Sequence, residues 1–171
     1  MPCTPLPSTT LSRSDRLPAY PLGSPSSLVT ALSAPLLPEA KPRYLMGVGT
    51  PADLLASARA GVDLFDCVLP TRNGRMGHAY TRAGEVTIKH ERFKEDLAPL
   101  DSSCACPVCR RHSRAYLRNL FVLKDFSAPM LISMHNVFFY LEWMREIRAA
   151  IAEGRLASLA APPEEKLPEG A

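Results

Sequence analysis

Hydrophobic and polar positions follow two different spacings in the first half of the chain, and each spacing predicts a different element. Two short apolar runs, residues 43–49 and 62–70, have the length of β-strands. Between them the pattern predicts a helix, with Thr50 as its cap, Pro51 as its first residue and Gly61 at its end. Strand, helix and strand in so few residues predict a βαβ unit. We expect its parallel strands to be buried on both faces.

Three further elements are predicted downstream. Polar and apolar residues alternate through residues 77–93 about Ala83–Gly84, which predicts a β-hairpin. Residues 113–123 read as a short helix. From Asn136 the apolar positions recur every three or four residues until Gly154, which predicts a long amphipathic helix.

The two ends of the chain have a different composition. Residues 1–34 are dominated by Pro, Ser and Thr and lack apolar periodicity, so we expect a disordered leader. A Ser-rich, acid-poor start also suggests an organelle transit peptide, but the prolines interrupt the amphipathic helix that such a peptide needs. We expect the tail, residues 160–171, to be disordered as well.

Composition narrows the class of protein. The chain has 171 residues, of which 46% are hydrophobic, enough for one domain with flanks. No apolar run approaches the roughly 20 residues of a membrane span, and no secretory signal is recognisable. We therefore expect a cytoplasmic protein without a membrane partner, in which clustered cysteines indicate metal rather than disulfides. Residues 72–124 hold eleven Lys or Arg and five Asp or Glu, so this segment is either a polyanion-binding patch or a solvated basic face.

Three of the five cysteines stand within six residues. Cys104, Cys106 and Cys109 have the spacing C-x-C-x-x-C, which can place three thiolates on one zinc ion. The tetrahedron needs a fourth ligand, and both His112 and His135 are candidates. We favour His135 because structural sites usually close with a ligand from a distant element.

Several motifs together resemble the C-terminal part of bacterial tRNA-guanine transglycosylases, also called queuine tRNA-ribosyltransferases. These motifs are LMGVGTPADLL, GVDLFDCVLPTRNGRMGHAYT, PLDSSCACPVC, SRAYLRNL and SMHNVFFY, in that order, and they extend from about residue 35 to 159. The resemblance implies an α/β fold: the C-terminal fragment of a (β/α)8 barrel with an inserted zinc-binding subdomain. It also implies that His135 is the fourth zinc ligand, because the family's histidine follows the last cysteine at this distance.

The resemblance also assigns an activity. The family exchanges guanine at the wobble position of tRNAs with GUN anticodons for a 7-deazaguanine base, on the way to queuosine. By resemblance, Asp66 is the nucleophile, Met46 and Gly47 border the base pocket, and Arg72 and Arg75 are loop arginines that bind the tRNA anticodon loop. A carboxylate suits the role because displacing a nucleobase without hydrolysis needs attack on the anomeric carbon, as in retaining glycosidases. Cys67 follows the nucleophile, and we interpret it as a buried small residue on the opposite face of the strand.

We expect five segments from this resemblance. They are a leader (1–34), the last βαβ unit of the barrel (35–71), the zinc subdomain with its hairpin (72–134), a C-terminal amphipathic helix region (135–159) and the tail (160–171). The family's second catalytic aspartate and most base-reading residues lie on early strands that this sequence lacks. A truncated or misread gene accounts for this most simply.

Two hypotheses follow. The first is a transglycosylase that is inactive alone because its early barrel strands are missing. The second is a non-catalytic, zinc-stapled RNA- or subunit-binding module, and the family's homodimers make self-association one of its expected properties.

Overall fold

The computed structural model describes residues 25–164, and in this part of the chain most elements contact one long helix. The helices are α1 (Pro25–Ser33), α2 (Pro51–Arg59), α3 (Leu69–Met76), α4 (Pro107–Arg111), α5 (Arg114–Val122) and α6 (Ser127–Ala152). The strands are β1 (Tyr44–Met46), β2 (Leu64–Asp66), β3 (His78–Thr81) and β4 (Gly84–Thr87). These elements confirm an α/β composition.

The predicted βαβ unit is present, with shorter strands than the apolar runs indicated. Strands β1 and β2 pair in parallel, with Met46 opposite Asp66. Helix α2 begins as predicted, because the Thr50 hydroxyl accepts a hydrogen bond from the backbone N–H of Asp53 at 3.2 Å. The cap and Pro51 therefore define the turn that joins β1 to α2.

The expectation that this sheet is buried on both faces is wrong for the described residues. One face packs inward through Phe65, which contacts the core around α2 and α6. The other face carries Tyr44, Met46 and Leu64, which are 53%, 72% and 54% exposed. These side chains are exposed because, in residues 25–164, only two strands form this sheet and no other described element covers its second face.

The leader was expected to be disordered through residue 34, and this is wrong for residues 25–33, which form α1. Pro25 is the first residue of α1, and Pro35 lies two residues beyond its end. The interior of the helix therefore contains no proline. Helix α1 packs against α2. The rest of the predicted leader, residues 1–24, lies outside the described residues. In the tail, residues 160–164 have no regular structure, and residues 165–171 again lie outside the described part.

Helix α3 was not predicted. The second apolar run was expected to be one strand up to Pro70, but the strand ends at Asp66 and Pro70 lies in the first turn of α3. Proline is tolerated there because that N–H has no partner within a helix. The helix ends at Gly77, whose φ of +86° favours glycine. Arg72 and Arg75, expected in a loop, are therefore helical.

The hairpin is confirmed, and the long helix starts earlier than predicted. Strands β3 and β4 are antiparallel, with Thr81 opposite Gly84. Helix α6 begins at Ser127, nine residues before the predicted start, and the Asp125 carboxylate accepts a hydrogen bond from the Ser127 N–H at 2.8 Å. Pro129 lies in its first turn, where it is compatible with a helix. As a result α6 crosses the expected boundary between residues 134 and 135.

Helix α6 joins two hydrophobic cores. Near its start, Ile132 packs with Val86 and Ile88 of the hairpin segment and with Leu117 of α5. Further along, Trp143 and its neighbours pack against α2. Within residues 25–164 no helix combines the length and apolar character that a membrane span requires.

Candidate functional site

The three clustered thiols and one histidine meet where the cysteine loop (residues 101–109) lies against α6. The Sγ atoms of Cys104, Cys106 and Cys109 lie 3.8, 3.4 and 3.4 Å from Nδ1 of His135. All four ligand atoms lie within 4.8 Å of one another. A zinc tetrahedron with Zn–S near 2.3 Å and Zn–N near 2.0–2.1 Å has N···S edges of about 3.5 Å. The four residues therefore fit one tetrahedral metal ion.

Local hydrogen bonds shape the cysteine loop. Cys106 caps α4, and its Sγ accepts a hydrogen bond from the Cys109 N–H at 3.3 Å. The buried carboxylate of Asp101 accepts hydrogen bonds from the Ser103 N–H and the Arg82 N–H, each at 2.8 Å. Asp101 therefore fastens the start of the loop to the end of β3, which places the thiols beside α6.

His135 is fully buried and uses both ring nitrogens. Nε2 lies 2.8 Å from the carbonyl oxygen of Tyr80 and donates a hydrogen bond to it, so Nδ1 is the ring nitrogen that faces the thiols. Such a hydrogen bond on the far side of the ring is typical of metal-ligating histidines. The open alternative, His112, stacks on Tyr116 at 5.1 Å and is not in the cluster.

The protonation states of the four groups depend on one another. The hydrogen bonds of the neighbouring thiols lower the pKa of Cys106, and the same neighbours raise the pKa of Cys109. Burial opposes a charged imidazole, but the bonds to Cys104 and Cys106 outweigh it and raise the pKa of His135 to about 9. A metal ion bound here would replace these shared protons, so its binding would release protons.

A second cluster lies at the carboxyl ends of the parallel strands. Asp66 is the last residue of β2 and stands beside Met46, the last residue of β1. The Gly47 N–H donates to the backbone carbonyl of Asp66 at 2.9 Å, and the φ of Gly47 is +79°. A Cβ at Gly47 would meet nothing within 4 Å, so glycine is favoured there by its backbone conformation. The turn leaves the Asp66 carboxylate exposed on the same face as Met46.

Sequence reasoning missed Tyr44, which contacts Asp66 directly. The Tyr44 hydroxyl donates a hydrogen bond to Oδ2 of Asp66 at 2.9 Å. This bond raises the pKa of Tyr44, and partial desolvation and the negative charge of Asp66 add to the effect. A signal existed in the strand period: Tyr44 stands two residues before Met46, so both side chains lie on one face.

Helix α3 follows Asp66 within three residues and carries the two arginines. Arg72 and Arg75 are both exposed, and their spacing of three places them on one side of the helix. Helix α3 is pressed against α6 at Gly74, where a Cβ would come within 2.7 Å of the Ser133 backbone. This close contact fixes the position of α3 against α6, and with it the backbone position of both arginines.

Buried polar groups on α6 hold the backbone on both sides of this cluster. The side-chain amide of Asn136 donates to the carbonyls of Pro70 and His78 at 2.9 Å each, and its oxygen accepts from the Tyr80 N–H. The Tyr140 hydroxyl donates to the carbonyl of Gly49 at 2.8 Å. Sequence reasoning counted Tyr140 only as an apolar helix position, although a buried phenol usually needs a partner.

Cys67 lies on the opposite side of β2 from Asp66, as predicted, but it is half-buried rather than buried. Burial raises the pKa of its thiol, which keeps it protonated and poorly nucleophilic. A Cβ at Gly49 would come within 2.5 Å of the Cys67 side chain, so the two residues pack tightly. With Phe65, Val137 and other apolar neighbours, Cys67 lines a groove of about 280 Å³ behind the strand.

Comparisons with known proteins show the family of the chain. The family model described as queuine tRNA-ribosyltransferase matches residues 23–168. Curated proteins of that name are similar to the chain: 51% identical over 81% of it in Aquifex aeolicus, 57% over 73% in Nitratidesulfovibrio vulgaris and 53% over 71% in Granulibacter bethesdensis. The chain spans about a third of the length of these relatives, at 37%, 33% and 32%. The chain belongs to the queuine tRNA-ribosyltransferase family.

Proposed function

We propose that this chain supplies two parts of a tRNA-guanine transglycosylase: the nucleophile, and an RNA-binding segment that a metal ion holds together. The observation that carries the proposal is the pairing of Asp66 with Met46 at the carboxyl ends of two parallel strands. Barrel enzymes hold their catalytic groups at this end of their strands. In this proposal β1, α2 and β2 are the last βαβ unit of a (β/α)8 barrel.

The reaction divides into two displacements at the wobble ribose. A carboxylate oxygen of Asp66 attacks the anomeric carbon, and guanine leaves with the electron pair of the glycosidic bond and gains a proton from a carboxylic acid outside this chain. The incoming 7-deazaguanine base then gives up its N9 proton, bonds to the same carbon and displaces Asp66. Two displacements retain the configuration, as in retaining glycosidases.

The neighbouring residues have matching roles. Met46 and Gly47 form one wall of the base pocket, because they border the Asp66 carboxylate on the exposed face of the sheet. Arg72 and Arg75 bind the anticodon nucleotides that flank the exchanged base. Their planar guanidinium groups suit phosphates and splayed bases.

The ion of the Cys3His cluster is zinc. Three thiolates and one imidazole in a tetrahedral arrangement are a typical set for structural zinc, with no open position for a water or substrate. When bound, the ion supplies no chemistry to the exchange and instead joins the cysteine loop to α6. In this proposal the protein is cytoplasmic, and a homodimer is its expected assembly.

The second candidate is a non-catalytic module that binds RNA or a subunit through its metal-stapled half. The exposed second face of the two-stranded sheet favours it, since Asp66 lies there without a covering element in residues 25–164. A nucleophile gains most of its effect from exact orientation of its substrate, and acid assistance alone is typically worth 10²–10⁴-fold. An Asp66 that lacks both contributions would catalyse little exchange, as this second candidate requires.

Guanine exchange into a GUN-anticodon tRNA separates the candidates. We expect no detectable incorporation of labelled guanine by the chain alone. Co-expression with the part of the Aquifex aeolicus relative that lies outside the matched residues should restore exchange, and Asp66→Ala should abolish it. That part of the relative, assayed alone, is the matched control. No exchange in the co-expressed sample would favour the non-catalytic module, and robust exchange by the chain alone would show that it needs no complement.

A further inference from the structure

Tyr44 is hydrogen-bonded directly to the carboxylate of Asp66. Tyr44 and Asp66 are diagonal neighbours on one face of the parallel pair, since Tyr44 lies opposite Leu64 and Met46 lies opposite Asp66. The phenol reaches across and donates its proton to Oδ2 at 2.9 Å. Among the described residues, the bond from Tyr44 to Oδ2 is the only hydrogen bond found at this carboxylate. The two oxygens of Asp66 are therefore chemically distinct.

We propose that Tyr44 is a positioning residue for Asp66, whose hydroxyl stabilises the carboxylate as it leaves the ribose in the second half of the exchange. This inference rests on the proposed function. In the first half, Oδ1 donates an electron pair to the anomeric carbon, the bond from that carbon to guanine N9 breaks, and guanine keeps the pair and is protonated. The carboxylate loses its charge in this step, so a donor on Oδ2 gives the attack little help.

The second half reverses the charge. The incoming base loses its N9 proton to the group that protonated guanine and forms its bond to the anomeric carbon. The bond from that carbon to Oδ1 breaks, and its electron pair returns to Asp66. Negative charge now grows on both carboxylate oxygens, and the Tyr44 proton faces one of them. A hydrogen bond to a group that becomes charged is stronger than one to a neutral ester, so Tyr44 favours breakdown of the intermediate.

The same hydrogen bond orients the attacking oxygen. With Oδ2 fixed on Tyr44, rotation of the carboxylate about its last bond is restricted, and Oδ1 is held on the open side of the sheet. Tyr44 is 53% exposed, and its hydroxyl contacts Asp66 without packing in the core. Tyr44→Phe therefore removes one hydrogen bond and leaves the packing of β1 intact.

The first arm of the test uses the full chain alone and requires no catalysis. Tyrosine labelled with ¹³C at Cζ reports the Tyr44 phenol by NMR, with its signal assigned from Tyr44→Phe. We expect the Tyr44 pKa to lie above the usual tyrosine value and to fall in Asp66→Asn. Asp63→Asn, at a carboxylate that instead accepts a hydrogen bond from the Arg43 N–H, is the matched control and should leave it unchanged. An unchanged Tyr44 pKa in Asp66→Asn would overturn the proposed contact.

The second arm measures the reaction in the chain co-expressed with the complementary part of the Aquifex aeolicus relative. Tyr44→Phe should lower kcat about 10- to 100-fold with little change in KM for tRNA, the size expected for one hydrogen bond to a charged oxygen. The fraction of chain trapped as a covalent RNA adduct during turnover should rise. An equal or smaller adduct fraction would contradict the role in the second half. Absence of exchange in the unmodified sample would overturn the proposed function and this role together, while the titration would still judge the hydrogen bond.

Discussion

Nε2 of His135 lies 2.8 Å from the carbonyl oxygen of Tyr80, so the hairpin holds the imidazole whose other nitrogen faces the three thiols. The next residue, Asn136, accepts a hydrogen bond from the N–H of the same Tyr80. One buried turn of α6 thus holds both backbone groups of one hairpin residue, and a metal ion at Nδ1 would join the cysteine loop to this arrangement.

Metal binding is the first testable consequence. We expect the purified chain to hold one zinc ion. His135→Ala should lose this ion, and the protein should then unfold at a much lower temperature because the cysteine loop is no longer held to α6. Zinc binding contributes about 10–16 kcal/mol in small zinc-finger peptides, so the loss should be large. His112→Ala is the matched control, because His112 stacks on Tyr116 outside the cluster. Elemental analysis measures the zinc content, and thermal unfolding measures the stability. Full zinc content in His135→Ala would contradict the assignment of His135 as the fourth ligand.

Acid should loosen the cysteine loop through Asp101. Burial opposes ionisation of this carboxyl, but hydrogen bonds from Ser103 and Arg82 outweigh it and hold its pKa below the usual value. A carboxyl that is harder to protonate when folded stabilises the fold above the ordinary Asp pKa of about 4, and this contribution is lost as the pH falls through the folded value. Urea unfolding of metal-free protein should show this acid-dependent loss in the native chain and a weaker one in Asp101→Asn.

Asp125→Asn is the matched control for that experiment. Asp125 accepts a local hydrogen bond from the Ser127 N–H, which also lowers its pKa, but it is exposed, and within residues 25–164 its carboxylate has no partner across the fold comparable to Arg82. It should therefore alter the pH dependence much less than Asp101→Asn. Equal effects of the two variants would show that the link from Asp101 to β3 is unimportant.

The sequence predicts part of this architecture well, for local reasons. Thr50 and Pro51 define a helix start through contacts with their immediate neighbours, and the close spacing of three cysteines limits what they can bind. Helix α3 was missed because the apolar run up to Pro70 was assigned to one strand. The early start of α6 was missed because its first turns, which include Pro129, precede the apolar period that begins at Asn136. The bond between Tyr44 and Asp66 depends on strand register across twenty-two residues. Register is set by tertiary packing, which a single sequence does not display.

The contact of α3 with α6 should tolerate no side chain at Gly74. An alanine Cβ would lie 2.5 Å from the Ser133 hydroxyl and 2.7 Å from its Cα, so the two helices must separate. We expect Gly74→Ala to lower the free energy of unfolding by about 1–3 kcal/mol, as overpacking does. Helix propensity alone predicts the opposite, a gain of up to about 1 kcal/mol. Arg75→Ala, on the exposed side of the same helix, should change stability little, and urea unfolding of both variants distinguishes the two effects.

RNA affinity should depend on the arginines of α3 and on salt. We expect Arg72→Ala with Arg75→Ala to weaken binding of an anticodon stem-loop and to reduce the salt dependence of that binding, because phosphate contacts release counterions. The matched control is Arg110→Ala with Arg111→Ala, which removes the same charge from exposed positions on α4. Fluorescence anisotropy at several salt concentrations measures both. Equal losses in the two double variants would indicate a general charge effect rather than a site on α3.

The identity of the nucleophile is tested most directly by locating the covalent RNA adduct. The chain co-expressed with the complementary part of the Aquifex aeolicus relative would be incubated with tRNA, denatured during turnover and digested with ribonuclease and trypsin. Fragmentation of the peptide covering residues 60–72 by mass spectrometry should place the ribose on Asp66, and neither on Asp63 nor on Cys67. Asp66→Ala should yield no adduct, while Asp63→Asn should yield it normally. A ribose on another residue, or exchange that continues in Asp66→Ala, would contradict the account.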